Sequence, residues 1–484
     1  MVRLEYNINY YNNILGDEMT KEEWKKFYEI KTIEDFKTYE NRYKNNELKF
    51  ERFQYEISFL YNLGLFYSEH YETHNPIDII FRKDDKYYLA IYYYLKAIKI
   101  YEDNRNILDT DKYFIYEVIR RLYVNIGNEF SNQFRSINAL SYFRKALRID
   151  ECFDMAIGNF ALGIEHHNPI IGLDKNKYCL VFNFLHELYF DIHLENLDSG
   201  RELFKNKKIQ YLEIQAAYIN TINHGLNANY EPYLFFTEIN VFDKSFENWC
   251  VKNTLYLNYV NDLGDFNEVK FDIDLSDLSG ELDLSEAQLY TLNSLFKLYV
   301  LQRQKIFDCK ELNDDVILHD LAQAFQCLYS YFDKIAFFIY KYFRLSGNER
   351  FVNINSIWEM KDETGNILLE YKNQYLYNIY WLRKEYRESS KSKMKINELF
   401  SPDAQDYANI RNMLEHKEFS FERIEGLPYL NPILLYSKTL KLANVVRDMI
   451  LSIVQMVITE KKLVDPVSNK RNLDLMYFAY EGFK

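Results

Sequence analysis

Glycine and proline are scarce, 14 and 7 in 484 residues, roughly a third of average usage. A chain so short of turn residues disfavours sandwich, propeller and collagen-like folds and favours long helices. Cysteine is sparse too. Cys152, Cys179, Cys250, Cys309 and Cys327 are scattered and never form Cys-x-x-Cys. Neither a disulfide framework nor a zinc site is expected, as suits a reducing cytoplasm. No uninterrupted run of about 18 apolar residues occurs, so no membrane partner is expected. The opening residues, Met1 to Asn7, show no signal-peptide core. Phosphate-loop, dinucleotide, serine-hydrolase and zinc-protease signatures are all missing. No cofactor and no metal are therefore expected. His166 and His167 adjoin in "IEHHNP" without companion ligands at useful spacing, and read as a polar loop. His186 and His193 read as the rim of an apolar helix.

What is present points to a globular chain of two to four domains. Apolar residues make up 48% and charged residues 27%. Tyrosine (44) and phenylalanine (36) will dominate its cores. The net charge is −13 but unevenly spread: residues 371–484 hold 18 Lys and Arg against 14 Asp and Glu, leaving −17 on the first 370. An acidic body argues against indiscriminate nucleic-acid coating. The mildly basic C-terminal end leaves room for a local anion site.

Residues 46–167 carry an internal repeat of tetratricopeptide type, with small residues where two helices cross and aromatics between them. One copy reads Tyr123, Ile126, Gly127, Phe130, then Ala139, Phe143, Ala146. The preceding copy has Leu60, Leu63, Gly64, Tyr67, then Ala90, Tyr94, Ala97, with an insertion over 73–86. A third first-helix follows in register at Ile157, Phe160, Ala161 and Ile164. Such arrays bury by stacking what one hairpin cannot, and offer a surface for a protein or peptide trigger or inhibitor. Residues 1–45 form an N-terminal helical segment.

Residues 168–305 read as a mostly helical connecting region. Within it Val269, Phe271, Ile273 and Leu275 alternate, which predicts a short strand or extended connector. The acids around it, including Asp272, Asp274 and Asp277, read as a solvated linker.

From about 306 to 470 the pattern predicts a helical bundle. One long helix is expected over "DDVILHDLAQAFQCLYSYFDKIAFFIYKYF", a second over 370–389, a third opening at Ser401-Pro402-Asp403, and a fourth over 433–461. Residues 471–484 form a tail. The expected class is all-α, with helical repeats followed by a four-to-five-helix bundle.

In the third bundle helix stands Arg411-Asn412-Met413-Leu414-Glu415-His416. An arginine and a histidine a few residues apart can clamp a phosphate and move a proton. Chance alone supplies about one such spacing in a chain of this composition, so the weight falls on context. "LYSYFDKIAFFIYKYF" (328–343), "LYNIYWLRKEY" (376–386), "IRNMLEHKEF" (410–419) and "LYSKTLKLANVVRDMIL" (435–451) carry it, with "NWCVKNTLYLNYVNDL" (248–263) ahead of them. Together they resemble the HEPN-superfamily ribonucleases, in the subfamily where tetratricopeptide-type repeats precede the HEPN bundle. The polar Asn412 after the arginine fits that pattern. HEPN toxins controlled by modification carry a tyrosine two residues after the histidine; here that position is Glu418.

The resemblance implies a metal-independent endoribonuclease. The 2′-hydroxyl attacks the adjacent phosphate, leaving 2′,3′-cyclic phosphate and 5′-hydroxyl ends. It assigns His416 as general acid/base, Arg411 as phosphate clamp and Asn412 as the orienter of His416 or of the phosphate. It implies an RNA partner and a toxin, anti-phage or stress role under control of the repeats. Arg411 and His416 lie about 140° apart on an ideal helix, which favours a cleft completed by a second chain and hence a homodimer through the bundle. Candidate RNA contacts are Arg383, Lys384, Arg387, Lys391, Lys393, Lys395 and Lys417, with Tyr380, Trp381 and Tyr386 interleaved for stacking. Asp333 is a candidate cleft acid. The alternative is a non-catalytic adaptor whose repeats and bundle bind proteins or nucleotides. In that case Arg411 would merely pair with Glu415 to stabilise its helix.

Overall fold

The computed structural model describes residues 33–50, 52–71, 89–108, 111–132, 135–166, 185–186, 188–197, 200–222, 245–258, 270–275, 284–312, 314–371, 373–387, 404–416 and 418–464, with 27, 261 and 282 as single positions. The fold is all-α. Among the described residues no strand forms, and two isolated bridges, Lys361 with Ile367 and Ser420 with Tyr429, are all the ladder pairing there is. The insertion at 73–86 and the tail at 471–484 lie outside the described residues.

The N-terminal half is a stack of helices. Helix α1 (Ile33–Lys44) caps α2 (Phe53–Tyr71) and α3 (Leu89–Asp103), which pack as a pair. Glu40 of α1 is buried and accepts hydrogen bonds from the Tyr67 hydroxyl at 2.5 Å and from the Tyr93 hydroxyl. Helices α4 (Arg120–Asn132) and α5 (Ser136–Ile149) form the next pair, and α6 (Asp154–His166) packs on α5. Every residue named above for the repeat register is buried, from Leu60 to Ile164.

The crossing device is the same in both pairs. A Cβ added at Gly64 would stand 2.4 Å from the Tyr94 ring, and one at Gly127 would stand 2.3 Å from the Phe143 ring. Glycine here serves close approach: each aromatic ring comes up against the helix backbone where a side chain would otherwise stand. Alanine is the better helix former by about 1 kcal/mol, but Phe143 is buried and has nowhere to retreat. Overpacking of this kind costs about 1–3 kcal/mol. Gly127→Ala is therefore expected to lower stability in a urea titration, and adding Phe143→Leu to restore part of the loss. Stabilisation by Gly127→Ala alone would contradict the close-packed crossing.

In the first turn of helix α7 (Arg201–Ile222), the Phe204 ring lies 2.4 Å from where a Cβ on Gly158 of α6 would be. Then come α8 (Phe246–Lys252) and the irregular segment 270–275. No strand forms in this segment; Ile273 donates its N–H to Leu257 O at 2.9 Å, and Val269 lies outside the described residues. Asp272, however, is no linker residue. It forms a two-pronged ion pair with Arg303, at 2.7 Å on each oxygen, and Arg303 is buried. The charge run hid this because the partner lies 31 residues away.

The C-terminal half gathers around one helix. Helices α9 (Glu286–Asp308), α10 (Asp315–Tyr329), α11 (Tyr331–Tyr342) and α12 (Gln374–Arg387) all pack against α14 (Pro432–Val464), and α13 (Ala404–His416) packs on α10 and α12. The domain boundary expected at 306 falls inside α9. The single helix expected over 314–343 is two, parted at Ser330, whose hydroxyl donates to Cys327 O at 2.6 Å. Asn431 caps α14, accepting from the N–H groups of Ile433 and Leu434, and Pro432 takes the first helical position. Residues Pro432–Glu460 are long and apolar enough to cross a bilayer, yet 89% of the apolar window is buried within the fold. A helix apolar on all sides belongs at the centre of a bundle.

Candidate functional site

Helix α13 is fixed by its inner face. Tyr407 is fully buried and stacks on Phe325 of α10, with ring centroids 6.2 Å apart. Asp406 pairs with the buried Lys438 of α14 at 2.7 Å. Gln326 Nε2 donates to Leu414 O at 3.3 Å. With 406, 407, 410 and 414 turned toward neighbours, helical periodicity turns 412, 415 and 416 outward and leaves 411 on the flank of the buried face. The histidine end of the motif thus faces solvent, while its arginine sits at the edge of the packing. A loop that folds back, with Ser420 N–H donating to Pro428 O and Leu430 N–H to Ser420 O, follows α13.

Arg411 has 36% of its side chain exposed, and Glu415 grips it from one turn on. Arg411 Nε donates to Oε1 at 3.0 Å, and Nη2 lies 2.8 Å from Oε2. The guanidinium also sits over the Tyr329 ring, 5.5 Å from its centroid. Partial burial works against the charge. The hydrogen bond and charge of Glu415, backed by Tyr329 and Asp333, nonetheless lift the Arg411 pKa above its usual value. Glu415 Oε2 is also 3.6 Å from His416 Nε2, and the histidine side chain is 68% exposed. One carboxylate therefore stands between the two motif residues. Arg411, His416 and the Tyr329 ring together offer a partly exposed cation, an imidazole and an aromatic face: groups that can hold a phosphodiester and move a proton. Among the described residues, no three His, Cys, Asp or Glu side chains gather as a metal group would.

Residues 303–460, which hold this arrangement, match the family model of the LA2681-like HEPN domain. The C-terminal bundle is a HEPN domain. No curated protein and no solved structure matches the chain.

Within the HEPN domain the remaining candidates divide. Asn412 is exposed and makes no hydrogen bond to His416, so the orienting contact expected between them is not formed. Asp333 accepts from the Ile354 N–H at 3.3 Å and acts electrostatically on Arg411, which places it beside the site. Arg383 does not face solvent. It is 9% exposed and lies over the Tyr380 ring at 5.0 Å. Tyr380 and Trp381 are buried as well, at 7% and 2%. The physical reason is that α12 is packed between neighbours on most sides, and a buried bond of 2.7 Å from Asn378 to Ser452 ties it to α14. Its aromatics are thereby spent on the core and are closed to bases. Lys384 and Arg387 lie on α12, but their side chains are outside the described residues. So are Tyr386, Lys391, Lys393, Lys395 and Lys417. The sequence reading missed Tyr329 as a site residue. It comes from another helix, and nothing near Arg411 in the chain announces it.

Proposed function

We propose that the HEPN domain is a metal-independent endoribonuclease. The observation that carries this reading is the pairing of a solvent-facing His416 with a partly exposed Arg411 on the flank of α13, backed by Tyr329 and near Asp333. An imidazole takes the 2′-hydroxyl proton as that oxygen attacks the phosphorus, and a proton returns to the departing 5′-oxygen. The guanidinium neutralises the charge that builds on the phosphoryl oxygens. The products are a 2′,3′-cyclic phosphate and a 5′-hydroxyl.

Two copies complete the cleft. Each chain supplies one Arg411 and one His416, and a two-fold axis brings two motif helices together. Ile424, Leu427, Tyr429, Ile433 and Leu434 are all exposed in the stretch between α13 and the first turn of α14. This is an apolar edge suited to a second HEPN domain. In the cytoplasm such an enzyme acts as a toxin-like defence or stress effector. The helical stack ahead of it, read as tetratricopeptide-type repeats, receives the trigger or inhibitor.

Total RNA incubated with the purified full chain in EDTA is the direct test, with product ends mapped. Cyclic phosphate and 5′-hydroxyl ends that disappear in Arg411→Ala and His416→Ala support the nuclease. Cleavage that persists in both variants places the activity elsewhere. A chain silent under every trigger supplied, yet retaining its protein partners, is the adaptor.

Glu415 supplies a further expectation. Its carboxylate occupies the Arg411 fork that a phosphate must use. Glu415→Gln is expected to lower KM for RNA several-fold. Stability should change by less than about 1 kcal/mol, as for a partly exposed i, i+4 pair. A raised KM in steady-state cleavage would show instead that Glu415 positions Arg411 for substrate.

A further inference from the structure

A cavity of about 310 Å³ lies where the helical stack meets the HEPN domain, between α3, α5, residues 252–254 and α14. Six cationic side chains line it: Lys99, Arg144, Lys145, Arg148, Lys252 and Lys441. Among the described residues, the single carboxylate in its wall is Glu102. Glu102 lies 3.8 Å from Lys145 and 3.3 Å from Lys441, so one acid is shared by at least two cations. This is an unusual place to concentrate positive charge, because the first 370 residues are net acidic. Like charges drawn together around a concave space repel one another, and an anion within it relieves that repulsion. Burial pushes the Lys145 pKa down, and Lys441 and Arg148 push it further, while Glu102 opposes them.

The rest of the wall is mixed, with Asn138, Ser141, Asn253, Thr254 and Asn444 as neutral polar groups. Leu95, Ile98 and Val445 contribute apolar surface, and Tyr142 adds a ring. The volume falls at the lower end of small-ligand sites, about 300–1,000 Å³, and suits a compact molecule better than a strand. We propose that this cavity binds a small molecule bearing a di- or triphosphate, with the phosphates among the lysines and arginines and any organic part against Leu95, Ile98 and Tyr142.

The cavity also touches the element that positions the motif. Lys441 and Asn444 line it from α14, and Lys438, one turn earlier on the same helix, holds Asp406 of α13. Thr254 in the opposite wall donates to Asn444 Oδ1 at 3.0 Å, and Asn138 donates to Asp448 Oδ2 at 2.7 Å. An anion drawing α3, α5 and α14 together therefore acts on the helix that anchors α13. Any effect on RNA cleavage rests on the nuclease reading above. The binding itself does not.

The test is titration calorimetry on the full-length protein with pyrophosphate and with ATP as probes. Saturable binding of at least one is expected, weakening as salt rises. Tighter binding of ATP identifies a nucleoside polyphosphate as the source, and equal affinity identifies the phosphates alone. Lys252→Gln with Lys441→Gln is expected to weaken binding tenfold or more. Arg148→Gln, at an exposed position, gives a second reading should the double variant melt early. Arg411→Ala is expected to leave binding unchanged. The proposal is overturned if neither probe saturates. Binding lost in Arg411→Ala but retained in the cavity variants also overturns it. So does a result in which the variants lose affinity for an RNA oligonucleotide and neither probe binds. Probe binding by an unaltered chain that cleaves no RNA would count against the nuclease and leave the cavity standing.

Discussion

His416→Ala is expected to slow RNA cleavage by about 10²–10⁴-fold, the range that a positioned proton-transfer group contributes. Arg411→Ala is expected to cost about 10²–10³-fold, as for removal of one charge-stabilising donor. Arg411→Lys should recover little, because a lysine offers a point charge in place of a fork. These losses should come with folding intact. His416 is mostly exposed, and Arg411 is held chiefly by a partly exposed pair to Glu415, so melting temperatures should stay close to that of the unaltered chain. Coupling lost activity to intact folding separates a catalytic role from a structural one. If both alanine variants cleave at the unaltered rate, the roles assigned here are wrong. A two-fold cleft adds a sharper check: mixing inactive Arg411→Ala and His416→Ala chains should restore part of the activity, since a mixed dimer then assembles one intact Arg411 and one intact His416.

Arg447→Met is expected to be the most damaging single substitution in the fold outside the apolar core. Arg447 is 2% exposed on the central helix α14. Its Nε donates to Tyr256 O and its Nη2 to Asn258 O, each at 2.7 Å. Nη1 lies 3.7 Å from Asp448, itself buried. Methionine fills part of the volume but leaves two carbonyls and a carboxylate without this donor. Breaking a buried charged network from one side costs about 3–5 kcal/mol. Urea denaturation followed by tryptophan fluorescence would measure it, and limited proteolysis should cut first near residues 253–258. A change below about 1 kcal/mol would mean that water or a neighbour takes over the donor role. Arg303 grips the same segment from the other side, donating to Leu255 O at 3.0 Å while paired with Asp272. Residues 253–258 are thus clamped by two buried arginines from two helices of the bundle. That explains why a segment ahead of the HEPN helices carries a recognisable pattern: its backbone is part of their packing.

Much of this was legible in the chain. Scarcity of glycine and proline gave long helices. The spacing of small and aromatic residues located two helix crossings to the residue, Gly64 under Tyr94 and Gly127 under Phe143. Helical period and local spacing are properties of neighbours in sequence, so a sequence can state them. The motif helix and the Arg411–Glu415 pair are of the same kind, since residues four apart on a helix meet. Other matters depended on residues far apart in the chain. Arg383, Tyr380 and Trp381 alternate as cations and aromatics do in a nucleic-acid surface, but α14 and its neighbours close over them. Asp272 looked like solvated charge until Arg303 supplied its partner. Tyr329 joined Arg411, and six cations from four parts of the chain gathered around one cavity. Sequence alone determined which residues could carry charge, move a proton or lie on one face of a helix. Tertiary structure decided which of them face water and which face each other, because burial and long-range pairing are set by how helices pack and not by the order of residues within them.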